Sequence, residues 1–336
     1  MKRTLVIAGL AALVSTALVA VAVAAESGTG TGTVFLPNPV ADLQNQNLTD
    51  QKDADYPALA DAYHQVTLTN LDGSGFLRGD YANVLSETGN PAFSSTNEFN
   101  YRRNDDRFEQ VMAYYWITEA QKYIQSLGFG STLRPINRES QDVRINQLGA
   151  DNSFSTDKKD QLRFGKGGVD DAEDAEVILH ELGHAIMDSQ QTPFGYGFSV
   201  EARSIGEGFA DYWAVTVSDV ISPTPDPACV ADWDSVSYTS DTPHCLRRVD
   251  TDLHYPEDLD GRVHHDGMIW SRALWDIRGS VGSVKADTLI LEGHFGQRDP
   301  TMPQLAQSTV AAAQRLYGNA TARRVRDAFV ARGILE

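Results

Sequence analysis

The spacing of apolar positions changes period several times along the chain. From Asp106 onward, Phe108, Val111, Met112, Tyr115, Ile117 or Thr118, Ala120 and Ile124 recur on one helical face, and Gly128 stops the run. The aromatic residues in this stripe read as core. Between Tyr63 and Val84 the period is two: Val66 and Leu68 flank a threonine, Asp72-Gly-Ser-Gly75 punctuates, and Phe76, Leu77 and Tyr81 resume, which predicts a β-hairpin. Upstream, Ser27-Gly-Thr-Gly-Thr-Gly-Thr33 reads as flexible linker and Pro37-Asn-Pro39 as a turn. Val143, Ile145 and Leu148 sit in short apolar pieces and predict strands. Phe164-Gly-Lys-Gly-Gly168 lacks the length and the following hydroxyl of a phosphate-binding loop, so it is a turn. The carboxylates of Asp170-Asp-Ala-Glu-Asp174 then predict a long helix from near Asp170, because exposed N–H groups at a helix start favour negative charge.

The amino terminus carries a different signal. Met1-Lys2-Arg3 is basic, no charged residue stands between Thr4 and Ala25, and small residues precede Glu26. Residues 1–25 are therefore expected to be a signal peptide cut after Ala24 or Ala25, the alternative being a retained anchor. The expected location is outside the cytoplasm, with no stable membrane association after cleavage. Three further parts are expected: a β-rich segment over 26–105, a lobe over 106–190 ending in the helix that follows Asp170, and a helical lobe over 191–336. A net charge of −18 repels nucleic-acid phosphates and anionic membranes, which removes nucleic acid as a partner. Cys229 and Cys245 bracket a Pro- and Asp-rich loop and, in an exported chain, are expected to pair as a staple.

The chemistry concentrates after Asp170. In His180-Glu181-Leu-Gly-His184 the two histidines are about one helical turn apart and can offer two imidazoles to one metal ion. Glu181 projects about 100° round the helix, where a general base can reach a metal-bound water without ligating. A catalytic zinc needs a third ligand and an open position. No glycine and third histidine follow closely, but Gly206-Glu207-Gly-Phe-Ala-Asp211 lies downstream with a helical pattern. There Glu207 fits a carboxylate ligand, and Asp211, one turn on, fits an acceptor for the free ring N–H of a ligating histidine.

These segments resemble the gluzincin metallopeptidases, and among them the fungalysin-like enzymes more than thermolysin. The resemblance extends to Val263-His264-His-Asp-Gly267-Met-Ile-Trp270-Ser-Arg-Ala-Leu274, to Val34-Phe-Leu-Pro-Asn-Pro39, to the Tyr114–Gly128 helix, to Asp151-Asn152-Ser-Phe154 and to Leu316-Tyr-Gly318. It implies an α+β, two-lobed zincin-like fold with the active-site helix between a β-containing and a helical lobe. It further implies zinc on His180, His184 and Glu207, a transition-state histidine at His264, and a substrate-backbone contact at Asn152. Tyr196 is a second candidate beside the oxyanion. Asp260 is a candidate to orient His264, with Asp258 equally placed, and His265 reads as a solvated neighbour. Such enzymes often carry a long propeptide, whereas the residues between Glu26 and Phe108 resemble the catalytic chain. Asp171, Asp174, Glu176 and Asp219 are candidate calcium ligands, although acidic residues near helix ends also serve the helix dipole.

The expected activity is zinc-dependent hydrolysis of peptide bonds in peptides or proteins, by an endopeptidase. Two rivals stand beside it: an exopeptidase of the same zinc class, and an exported binding protein whose zinc is structural. Structural sites are usually closed by four protein ligands and rich in cysteine.

Overall fold

A computed structural model describes residues 28–85, 90–156, 161–191 and 197–336. The expected signal peptide and Tyr196 lie outside the described residues. The chain begins with strand β1 (Gly28–Val34), a short helix α1 (Pro39–Leu43), and strands β2 (His64–Leu71), β3 (Ala82–Val84) and β4 (Glu98–Phe99). The linker expected at Ser27–Thr33 is instead β1, the middle strand of a three-stranded sheet ordered β2-β1-β4. Its threonines favour extended backbone, and its glycines let neighbours approach: a Cβ on Gly30 would lie 2.4 Å from the Asn97 carbonyl oxygen. The hairpin expected at Tyr63–Val84 is also redistributed. β2 pairs antiparallel with β1, Val34 opposite His64, and after the Asp72–Gly75 turn the chain crosses to a second sheet with only isolated bridges between.

Helix α2 (Arg107–Ser126) follows the predicted stripe, and Gly128 adopts φ +101° just beyond it, a conformation that glycine takes without steric cost. Strands β5 (Gln141–Arg144), β6 (Phe154–Thr156) and β7 (Gln161–Arg163) join β3 in a sheet ordered β3-β5-β7-β6, which leaves β6 at the edge. The long helix, α3 (Ala175–Ser189), starts later than its acidic approach suggested. Asp171–Glu173 form a separate short turn because their carboxylates are used elsewhere: Glu173 is fully buried against Arg103, at 2.9 Å. Asp174 is the residue that caps α3, accepting the Glu176 N–H at 2.9 Å.

The rest is mainly helical: α4 (Val200–Ile221), a two-stranded ladder of β8 (Cys229–Val230) and β9 (Arg247–Arg248), then α5 (Val263–Val281), α6 (Ser283–His294), α7 (Met302–Tyr317) and α8 (Asn319–Ala331). The result is a mixed α+β, two-lobed, zincin-like architecture. One apolar core runs from Val34 and Phe108 through Ile178 and Leu182 of α3 to Phe209, Trp213 and Trp270 of the helical lobe. Cys229 and Cys245 are joined by a disulfide that closes a 16-residue separation beside the β8–β9 ladder. No helix of the described residues is long and apolar enough to cross a membrane.

Candidate active site

Helices α3, α4 and α5 cross closely enough to bring three segments of sequence to one point, and glycines set the approach. A Cβ on Gly183 of α3 would lie 2.9 Å from the Ala210 Cα of α4, and one on Gly208 of α4 would lie 2.2 Å from the Gly267 carbonyl oxygen of α5. Any larger residue at these points pushes the helix backbones apart. The crossings place His180 and His184 from α3, Glu207 from α4 and His264 from α5 on one cleft of about 790 Å³.

Glu207 Oε2 lies 3.3 Å from His180 Nε2, 3.7 Å from His184 Nε2 and 3.2 Å from His264 Nε2. The first three side chains offer one ligand atom each within 4.8 Å of one another. His180 Nδ1 lies 2.8 Å from Asp211 Oδ1, a contact that assigns the ring proton to Nδ1 and turns the Nε2 lone pair toward Glu207 and His184. Two imidazole nitrogens and one carboxylate oxygen, all but the last nearly buried, form a donor set that suits zinc. Burial works against charge on Glu207, but the adjoining His184 and His180 overrule it and hold its carboxyl well below the usual range.

Asp211 is held in turn by a residue that sequence reasoning missed. Arg247 on β9 donates from Nε to Oδ2 and from Nη2 to Oδ1, both at 2.7 Å. Against its burial, this two-pronged pair and His180 lower the Asp211 pKa far below an ordinary aspartate. The available signal was the cysteine pair, since Cys245 stands two residues before Arg247.

Glu181 is 6% exposed in the same cleft, and burial raises its pKa against the field of His180 and His184. A hydrogen bond from the Ser155 backbone ties it to edge strand β6. His264 occupies the first turn of α5 with its side chain 59% exposed. Asn152 is exposed on the cleft wall, but it precedes β6 rather than lying within it.

Asp260 does not orient His264. Its carboxylate closes its own turn, accepting the Arg262 backbone N–H at 2.9 Å and Nε at 2.8 Å, and it stands 3.3 Å from His265 Nδ1. Asp258 does not do so either, because it accepts the His254 N–H at 2.7 Å. His265 is thereby paired rather than simply solvated, with Asp260 and Asp266 on either side. Three of the four calcium candidates hold other partners. Asp219 pairs with Arg278, Asp174 caps α3, and Glu176 accepts Ser218 Oγ at 2.6 Å and the Ala231 N–H at 2.7 Å. Of the four, Asp171 and Glu176 line the cleft, both buried.

In sequence comparison, no family model and no curated protein matches the chain. Among solved structures, the chain is similar to the precursor of protealysin, a metalloproteinase from Serratia proteamaculans, with a TM-score of 0.59 and 18% identity over 75% of this chain and 85% of that one. The shared property is the fold, that of a metalloproteinase.

Proposed function

We infer that the chain is an exported zinc-dependent peptidase that hydrolyses peptide bonds as an endopeptidase, with the fungalysin-like gluzincins as its finer affinity. One observation carries this reading: His180, His184 and Glu207 converge at the floor of an open cleft, with the buried Glu181 beside them. Zinc held by these three residues supplies Lewis acidity toward a water and toward the scissile carbonyl.

The remaining steps belong to the chain. Glu181, its pKa raised by burial, accepts the proton of the attacking water and returns it to the leaving amine. His264 reaches into the cleft from the start of α5 and donates to the carbonyl oxygen as negative charge develops there. Asp211 and Arg247 keep the His180 ring in its ligating orientation. The free edge of β6 offers backbone groups to an extended peptide, with Asn152 at its entrance. The finer affinity rests on the sequence segments around Glu207 and His264, and export on the uncharged run from Thr4 to Ala25.

The test is hydrolysis of quenched, end-blocked peptides by the mature chain. A chelator should abolish cleavage and zinc restore it, and Glu181→Gln should retain zinc while losing about 10²- to 10⁴-fold in kcat. Cleavage only of free-ended peptides would replace the endopeptidase by an exopeptidase. No cleavage by a chain carrying one zinc per molecule would favour the binding protein.

A further inference from the structure

The cleft that holds the metal ligands also has an acidic wall that the chemistry above does not use. Asp171 and Asp234 line it, the half-buried Asp151 stands close by, and one carboxylate oxygen from each of the three lies within 4.8 Å of the others. Asp171 is 2% exposed and Asp234 3%. Oδ2 of Asp171 is occupied, accepting Ser153 Oγ and the Gly165 N–H, and Asp151 Oδ1 accepts the Tyr238 hydroxyl at 2.8 Å. Oδ1 of Asp171 and Oδ1 of Asp234 have no hydrogen-bond partner among the described residues. Arg247 is the cation whose field reaches Asp234, and both carboxylate oxygens of Asp211 already hold it.

Buried carboxylate oxygens without partners are costly, and their repulsion adds to the cost. Burial and its neighbours push Asp171 up to about 7, and burial with Asp171 and Asp151 pushes Asp234 well above the usual range. A cation placed between them relieves both terms. Val230 and Leu246 line the same cleft, so an apolar surface accompanies the acidic one. A long aliphatic stem ending in a positive head matches that combination, which is the build of a lysine or arginine side chain.

We propose that this acidic wall is a specificity pocket that takes a lysine or arginine side chain of the substrate, with Asp171 and Asp234 as the residues that select it. The proposal rests on the peptidase reading and names its substrate class, peptides cut at a fixed distance from a basic residue. The chain's net charge of −18 acts in the same sense, drawing basic peptides toward the protein.

The test uses matched end-blocked peptides that differ only in one residue, lysine against its uncharged isostere norleucine, scanned through the positions around the cut. The zinc-loaded wild type should prefer lysine at one position, and Asp234→Asn should lower the lysine-to-norleucine ratio of kcat/KM by about 10- to 100-fold. Calorimetry of the same peptides on Glu181→Gln reads the preference without turnover and again after adding Asp234→Asn. A lysine preference in binding without any cleavage supports the pocket and strikes the peptidase reading alone. Cleavage with no basic preference at any position, or a ratio unchanged in Asp234→Asn, overturns the pocket. Calcium that binds wild type but not Asp234→Asn, and erases the lysine preference, also overturns it by assigning the oxygens to a metal ion.

Discussion

Aspartates are buried at two places on this cleft, and their surroundings give them opposite electrostatic characters. Asp211 is 1% exposed, yet it stays ionised because Arg247 grips both oxygens and His180 adds a third contact. Asp171 and Asp234 are buried to a similar degree, but each keeps an oxygen without a hydrogen-bond partner among the described residues, and they cluster with Asp151 instead of being gripped by a cation. Burial therefore does not by itself decide the charge state of a carboxyl group. At Asp211 the compensating charge is part of the fold, and the carboxylate serves to hold a ligand. Along the acidic wall the compensation is left open, which gives an incoming cation something to supply.

Removing the built-in compensation should have the largest effect. Arg247→Met leaves Asp211 buried beside His180 without its main partner, and the expected loss is about 3–5 kcal/mol of folding stability. Zinc affinity should fall about 10- to 100-fold as His180 loses its fixed orientation. Denaturant unfolding and competition with a chromogenic chelator read the two effects. Wild-type stability with unchanged zinc affinity would mean that the Arg247–Asp211 pair does not support the site.

The next effect tests how Arg247 is held in place. β9 contains Arg247, and the Cys229–Cys245 bridge closes the loop that returns the chain to β8. Replacing both cysteines with serine should cost about 3 kcal/mol through the freed loop. Zinc affinity should weaken in the same direction as in Arg247→Met but by less, because the arginine itself remains. Loss of stability with no change in zinc affinity would separate the staple from the site.

The same contrast marks what the sequence made legible. The stripe of α2, the two histidines of α3 and the pairing of Glu207 with Asp211 on α4 are all local, because helical periodicity places residues three or four apart on one face. The β1 strand was hidden because its Gly-Thr alternation has the composition of a linker; its glycines are explained only by neighbours such as Asn97, far along the chain. The β1–β2 pairing, with Val34 opposite His64, likewise follows from a long chain reversal rather than from a local turn signal. Arg247, Asp171 and Asp234 reach the cleft from three separate loops or ladders, so no window of sequence displays them together. Asp260 shows the reverse error: closeness in sequence to His264 suggested contact, but its own turn had the first claim on its carboxylate.

The smallest expected effect is also the most direct test of the comparison, because the two regions should respond to pH with opposite signs. The folded-state pKa of Asp211 is depressed, so its contribution to stability is present above the unfolded aspartate range, about 3.9, and is lost as pH falls toward the depressed value. Asp171 is raised to about 7 and Asp234 is raised well above its usual range, so their contribution is fully present below about 3.9 and is lost as pH rises, for Asp171 through about 7. Asp234→Asn removes one of the two raised groups and part of the repulsion on the other. It should therefore stabilise the protein by about 1–2 kcal/mol at pH 8, with the gain shrinking toward pH 4, where the wild-type carboxyls are already neutral. Asp211→Asn should instead destabilise the protein by an amount that stays level from pH 8 down to about 4 and shrinks only as the pH falls below the unfolded aspartate range, about 3.9. An Asp234→Asn gain that does not grow between pH 4 and 8, or an Asp211→Asn deficit that does not shrink below pH 4, read from unfolding midpoints without added metal, would mean that the two regions are not electrostatic opposites.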